Sequence, residues 1–165
     1  MNRHILSVSV LNKPGVLTRV AGLFSRRNFN IDSLNVGETE DPEISRMTIA
    51  VYGNDKTLEQ VKKQLHKLVD VVKIRELTQN AIVDRDLALI RIKCSRGQRH
   101  EIIQVADTFR AKVVDVAYDS LMIEATGNEE KIEALIEILR DYNIVEIVRT
   151  GIIALSRGQE LEDRE

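Results

Sequence analysis

Asn12-Lys13-Pro14-Gly15-Val16-Leu17-Thr18-Arg19 stands where a β-branched apolar run gives way to an apolar pattern of helical period. That change of period across a Pro-Gly pair predicts a strand, a tight loop and a helix in succession. Pro14 presets a helix-compatible φ and brings no N–H, while Gly15 removes the Cβ that would keep another group off the backbone. The amides that follow belong to the first turn of a helix. They have no partners inside it and they carry the positive end of its dipole, so the loop suits a small carboxylate.

Upstream, Ile5, Leu6, Val8 and Val10 alternate loosely and predict a strand over 5–11. Downstream, Val16, Val20, Leu23 and Phe24 recur on one helical face with Arg19, Arg26 and Arg27 turned outward. Asn28 is the expected stop, because asparagine tolerates the left-handed conformation that ends helices. Phe29-Asn30-Ile31 leads into a second strand through Leu34 and Val36. Glu38, Glu40, Asp41 and Glu43 crowd around Pro42 and are expected to form a solvated hairpin turn rather than a metal or acid–base site. A third strand over 45–52 follows, then a helix marked by Leu58, Val61, Leu65 and Leu68, then a β-branched run over 69–77. The order is βαββαβ, the ferredoxin-like arrangement of a four-stranded antiparallel sheet with two helices on one face.

The pattern then repeats. Residues 79–86 have little apolar periodicity and are expected to be a linker between a first domain over 1–78 and a second over 87–158. In the second, strands are predicted over 87–94, 113–116, 121–125 and 143–148. Its helices turn Ile102, Val105, Ala106 and Phe109, and then Ile132, Leu135, Ile136 and Leu139, toward a core. The expected fold class is therefore α+β, two tandem ferredoxin-like βαββαβ units, with a flexible polar tail over 159–165.

Composition narrows the function. The 165 residues are 43% hydrophobic and 30% charged with a formal charge of −2, so a globular core is possible and no overall field attracts nucleic acid or an anionic membrane. Aromatic residues make up 4%, with no tryptophan, which argues against base-stacking platforms. One cysteine, Cys94, allows no internal disulfide and is expected to be a small core residue. Met1-Asn2-Arg3-His4 runs straight into strand pattern with no signal-like apolar core, and no apolar run is long enough for a bilayer; a cytoplasmic setting is expected. No nucleophile elbow, P-loop, dinucleotide fingerprint or zinc-protease motif is present, and His4, His66 and His100 are far apart. Neither catalysis nor a metal site is expected in this chain. An RNA-binding module would need aromatics in the central runs 5–11 and 47–51, and a hydrolase of the acylphosphatase kind would need an arginine in the first loop; both are missing.

Asn12-Lys13-Pro14-Gly15-Val16-Leu17, followed by 24–34 from Phe24-Ser25-Arg26-Arg27 to Asp32-Ser33-Leu34, resembles ACT domains, the amino-acid-sensing ferredoxin-like modules. Asp41-Pro42, Ser45-Arg46-Met47-Thr48-Ile49, Gln64-Leu65-His66-Lys67-Leu68-Val69-Asp70-Val71 and the ending Arg149-Thr150-Gly151 to Leu155-Ser156-Arg157-Gly158 narrow this to a resemblance to the small regulatory subunits of acetohydroxyacid synthase (acetolactate synthase). One departure is Asn28, where members of that family often carry glycine.

The resemblance implies a non-catalytic subunit. Two ACT domains from a homodimer would join their sheets, and a feedback inhibitor, usually valine, would bind at the junction. Gly15, Val16 and Leu17 would present N–H groups to its carboxylate, Asn12 would add a side-chain hydrogen bond, and Asn30 and Ile31 of the second copy would complete the pocket. The chain would activate a separate catalytic (large) subunit that holds thiamine diphosphate, magnesium and FAD, and would itself need no cofactor. An ACT-type sensor that serves another enzyme or acts alone is the alternative.

Overall fold

The computed structural model describes residues 2–78 and 81–158 and divides into two units. The first contains β1 (Asn2–Leu11), α1 (Val16–Arg26), β2 (Ile31–Glu38), β3 (Ile44–Gly53), α2 (Asp55–Leu65) and β4 (Val71–Glu76). Its strands lie in the order β2-β3-β1-β4, all antiparallel. The apolar stripe expected on the first helix is the one buried: Val16, Val20, Leu23 and Phe24 pack with Leu58, Val61 and Leu65 of α2 against Leu6, Val8, Met47 and Ile49 of the central strands. Leu6 stands opposite Ile49 and Val8 opposite Met47, so the two central strands present one continuous apolar face to both helices.

Local chemistry sets the helix ends. Asn28 takes φ 57°, and the N–H groups of Asn28 and Phe29 return to the carbonyls of Ser25 and Phe24 at 3.0 Å, a Schellman closure of α1. The Asn54 side chain accepts the Thr57 N–H at 2.8 Å and starts α2.

The second unit contains most of β5 (Ile82–Lys93), then α3 (Arg99–Thr108), β6 (Lys112–Val116), β7 (Ser120–Gly127), α4 (Glu129–Leu139) and β8 (Asn143–Arg149). Its order β6-β7-β5-β8 repeats that of the first unit. Ile90, Ile92, Leu121 and Ile123 meet Ile102, Ala106, Ile132, Leu135 and Leu139 in a separate core, with Val105 and Phe109 half-buried at its margin.

Two boundaries differ from the sequence expectation. Of the expected linker over 79–86, residues 82–86 are already strand β5, and the division between units falls between Val83 and Asp84. Asp86 is almost wholly buried. Arg149 donates to its Oδ2 from Nε at 2.7 Å, the Thr150 hydroxyl lies 3.2 Å from Oδ1, and Glu133 binds the other side of the same guanidinium. Burial works against the Arg149 charge, but its bonds to Glu133 and Asp86 outweigh that and raise its pKa. The other difference is at the end of the chain. Residues 152–158, expected in the second domain, group with the first unit: Ile152 and Ala154 pack on Leu77, Ile5 and Ile82. There β9 (Ile153–Ser156) pairs with the start of β5, and Arg157 donates its N–H to Ala81 O at 2.7 Å. The expected tail over 159–165 lies outside the described residues.

Candidate functional site

The loop between β1 and α1 is fixed by its glycine. Gly15 adopts φ 85°, ψ −10°, a left-handed conformation that puts it at the N-cap of α1 without a side-chain cap. A Cβ there would also come within 3.1 Å of the Arg19 guanidinium, which is held by Asp70 at 2.7 Å. Among the described residues, no hydrogen bond takes the N–H of Gly15, Leu17 or Thr18. The Val16 N–H makes a long turn bond of 3.4 Å to Lys13 O. Of the three amides expected to face a ligand, those of Gly15 and Leu17 are thus open and that of Val16 is loosely held. The first turn of α1 carries no acidic residue, whereas α2, α3 and α4 each carry at least one. The helix's own first turn therefore supplies no carboxylate to the positive end of its dipole.

Asn12, expected to add a side-chain hydrogen bond to an effector, is itself held by the chain. Its Nδ2 donates to Pro42 O at 2.9 Å and to Glu38 Oε1 at 3.2 Å, and its N–H reaches Glu43 O at 2.7 Å. The amide nitrogen is occupied in positioning the loop, leaving the carbonyl Oδ1 as the acceptor. The acidic turn, expected only to be solvated, therefore also anchors Asn12. Sequence reasoning missed this because the partners are a backbone carbonyl and a carboxylate some thirty positions away, as the 30-residue separation of Asn12 and Pro42 illustrates.

Asn30 and Ile31 lie at the opposite end of α1. They line a cleft of about 360 Å³ with Phe24, Ser25, Asn28 and Phe29, and no residue of the Pro-Gly loop belongs to it. One chain does not gather the six expected residues into one pocket. The strand that begins at Ile31, β2, is an edge of its sheet, with its outer side unpaired among the described residues.

Comparison with known proteins places this arrangement. Residues 6–73 match the family model of the acetohydroxyacid synthase small subunit-like ACT domain, so the first unit is an ACT domain, and 85–158 match that of the small subunit of acetolactate synthase. The chain is 51% identical over 158 residues to a probable acetolactate synthase small subunit of Archaeoglobus fulgidus, covering 96% of this chain and 99% of that one. It is 54% identical over 155 residues to the acetolactate synthase small subunit of Mycolicibacterium smegmatis, with 94% and 91% covered. The crystal structure of the acetolactate synthase small subunit of Thermotoga maritima superposes with a TM-score of 0.88 at 45% identity, over 96% of this chain and 99% of that one. The chain belongs to the family of acetolactate synthase small subunits, regulatory proteins built on an ACT domain.

Among the described residues no group of three or more His, Cys, Asp or Glu is placed to hold a metal ion, and Cys94 is buried. No helix among them is long and apolar enough to cross a membrane.

Proposed function

We propose that this chain activates a separate acetolactate synthase catalytic subunit in the cytoplasm and makes it sensitive to valine. The observation that carries the reading is the set of open amides at Gly15, Leu17 and Thr18, at a helix start with no acid of its own. An amino acid would place its carboxylate on these amides and offer its ammonium to the Asn12 Oδ1, with Val16 and Leu17 beside its side chain. Asn30 and Ile31 would come from a second copy, joined through the β2 edges so that two sheets become one. The edge position of β2 favours that geometry, because an unpaired strand edge is a template for another chain.

Decarboxylation chemistry, with thiamine diphosphate, magnesium and FAD, would belong wholly to the catalytic partner. Inhibition would be allosteric: valine binds one arrangement of the dimer more tightly and shifts the activity of the partner by that difference. A coupling of about 1–3 kcal/mol is typical of such linkage. Selectivity would be modest, since one methylene in an apolar pocket is worth about 1–3 kcal/mol, and isoleucine or leucine would compete.

The test is acetolactate formation by the cognate catalytic subunit alone, with this chain, and with this chain plus valine. A rise on mixing that valine reverses is the expected result. No rise with a competent partner would reject the activating role, and a rise untouched by valine would reject the effector.

A further inference from the structure

Between Asn12 and Ile31 the chain carries four cations, Lys13, Arg19, Arg26 and Arg27, and no acid, although its formal charge overall is −2. All four lie on α1 or at its two ends. The chain neutralises one of them, since Asp70 holds Arg19 at 2.7 Å. Arg26 and Arg27 are exposed and take no carboxylate among the described residues; the Arg26 Nε donates to the neutral carbonyl of Gly22 at 3.2 Å. The neighbouring helix treats its charge otherwise, with Lys62 of α2 at 2.7 Å from Glu59 and 3.2 Å from Glu76. One cation in the last turn would answer the negative end of the α1 dipole. Four without an acid build a positive face.

That face is also low. Val16, Val20, Leu23 and Phe24 are turned to the core, so Thr18, Gly22 and Ser25 point away from it beside Arg26. A Cβ on Gly22 would meet nothing within 4 Å, which lets another backbone approach the helix closely. A low positive face on a chain that is acidic elsewhere fits a protein surface that brings carboxylates, whereas a nucleic acid would be repelled by the rest of the molecule. We infer that the outward face of α1, centred on Gly22 and Arg26, docks an acidic surface of the catalytic subunit, an inference that rests on the activating role proposed above. The helix begins at the open amides of Gly15 and Leu17. An effector held there and a partner held on the outward face act on one rigid element, which is what coupling between two sites requires.

The experiment measures the concentration of the full chain that half-activates the catalytic subunit, in about 50 and about 300 mM sodium chloride. Expected is a half-activating concentration that rises with salt, and that rises about tenfold when Arg26→Gln and Arg27→Gln are combined, with full activation still reached at saturation. Gly22→Glu should weaken docking as strongly. It has room for its side chain and suits a helix better than glycine, so it decides the question even if the double variant folds poorly. Arg91→Gln, at an exposed site in the second unit, should change nothing. Activation by the wild-type chain with an unaltered half-activating concentration in both α1 variants would overturn the docking face and leave the activating role standing. An equal shift in Arg91→Gln would overturn it as an effect of diffuse charge. No activation by the wild-type chain would remove the activating role itself, and the docking face with it.

Discussion

The two units place a strand-to-helix loop at the same point of the same topology, yet the loops differ in backbone conformation and in charge. After β1, Pro14 and left-handed Gly15 leave the N–H groups of Gly15, Leu17 and Thr18 open. After β5, the Gln98 side chain folds back and accepts the Ser95 N–H at 3.1 Å, the Gln98 N–H goes to Ser95 O at 3.2 Å, and Arg99 reaches across to the carbonyls of Ala117 and Tyr118. Glu101 already answers the dipole of α3. The N–H groups of Arg99, His100 and Glu101 take no hydrogen bond among the described residues either, so the first loop is set apart by left-handed Gly15 and by a first turn without an acid. The fold is shared and the loop chemistry is not, so the proposed site would rest on a few loop residues rather than on the ferredoxin-like frame.

The largest expected effect breaks this comparison directly. Gly15→Asp puts a negative charge where the carboxylate of the effector is proposed to sit. Losing charge-assisted hydrogen bonds worth about 1.5–3 kcal/mol and adding repulsion should raise the valine concentration for half-inhibition by about a hundredfold or more. Activation of the catalytic subunit should survive. The matching change in the other loop, Gly97→Asp, has room for its Cβ, with Ser95 Oγ at 3.9 Å, and should leave valine inhibition unaltered. Full valine sensitivity in Gly15→Asp would move the site elsewhere.

Next in size is the buried ion pair that Asp86 and Arg149 form in the second unit. Asp86→Ala would leave the half-buried Arg149 with Glu133 and remove one partner of the Thr150 hydroxyl, costing about 3 kcal/mol, the lower end of the range for broken buried pairs because Glu133 still holds the guanidinium. Urea unfolding followed by a probe in the second unit measures it. A cost below about 1 kcal/mol would mean that the pair behaves as a surface bridge.

Asn12→Ala tests the anchoring of the open loop. It removes the bonds to Pro42 O and Glu38. Each such bond contributes about 0.5–1.5 kcal/mol, and the proposed acceptor for the effector ammonium is lost with them, so valine should bind at least roughly tenfold more weakly, with the fold intact. Glu38→Gln keeps an acceptor at 38 and should cost much less. Equal losses in the two variants would show that charge at 38, not the position of Asn12, governs the loop.

These same residues explain what could be read from the sequence. The four-residue stripe of α1, the Asn28 stop and the repeated βαββαβ order were legible because they rest on local periodicity and local backbone preference. Asp86 and Asn12 were not, because a buried carboxylate or an occupied amide is defined by partners 63 and 30 residues away. β9 escaped for a related reason: only Ile152 and Ala154 of that segment are buried, too few to set a period, and the strand exists through its pairing with β5. Of the candidate site, the loop was legible from Pro14 and Gly15, whereas its dependence on the 38–43 turn required the fold.

The smallest effect compares how the first helix of each unit ends. Both close in a left-handed residue, Asn28 at φ 57° after α1 and Arg110 at φ 53° after α3, and in both the next N–H returns to the turn before: Phe29 to Phe24 O and Ala111 to Ala106 O. Asparagine adopts this conformation at little cost, while arginine has no side chain that compensates it and carries the ordinary penalty of about 1–2 kcal/mol for a left-handed residue. Arg110→Gly should therefore stabilise the second unit by up to about 1 kcal/mol in urea unfolding, because glycine gains in the folded state but loses part of the advantage to extra freedom when unfolded. Asn28→Gly should change the first unit by only a few tenths of a kcal/mol, a magnitude that follows from the near-equivalence of the two residues as helix stops. Equal gains at both positions would mean that the cap geometry, not the residue occupying it, sets the strain, and that Arg110 is compensated by contacts its exposed position does not suggest.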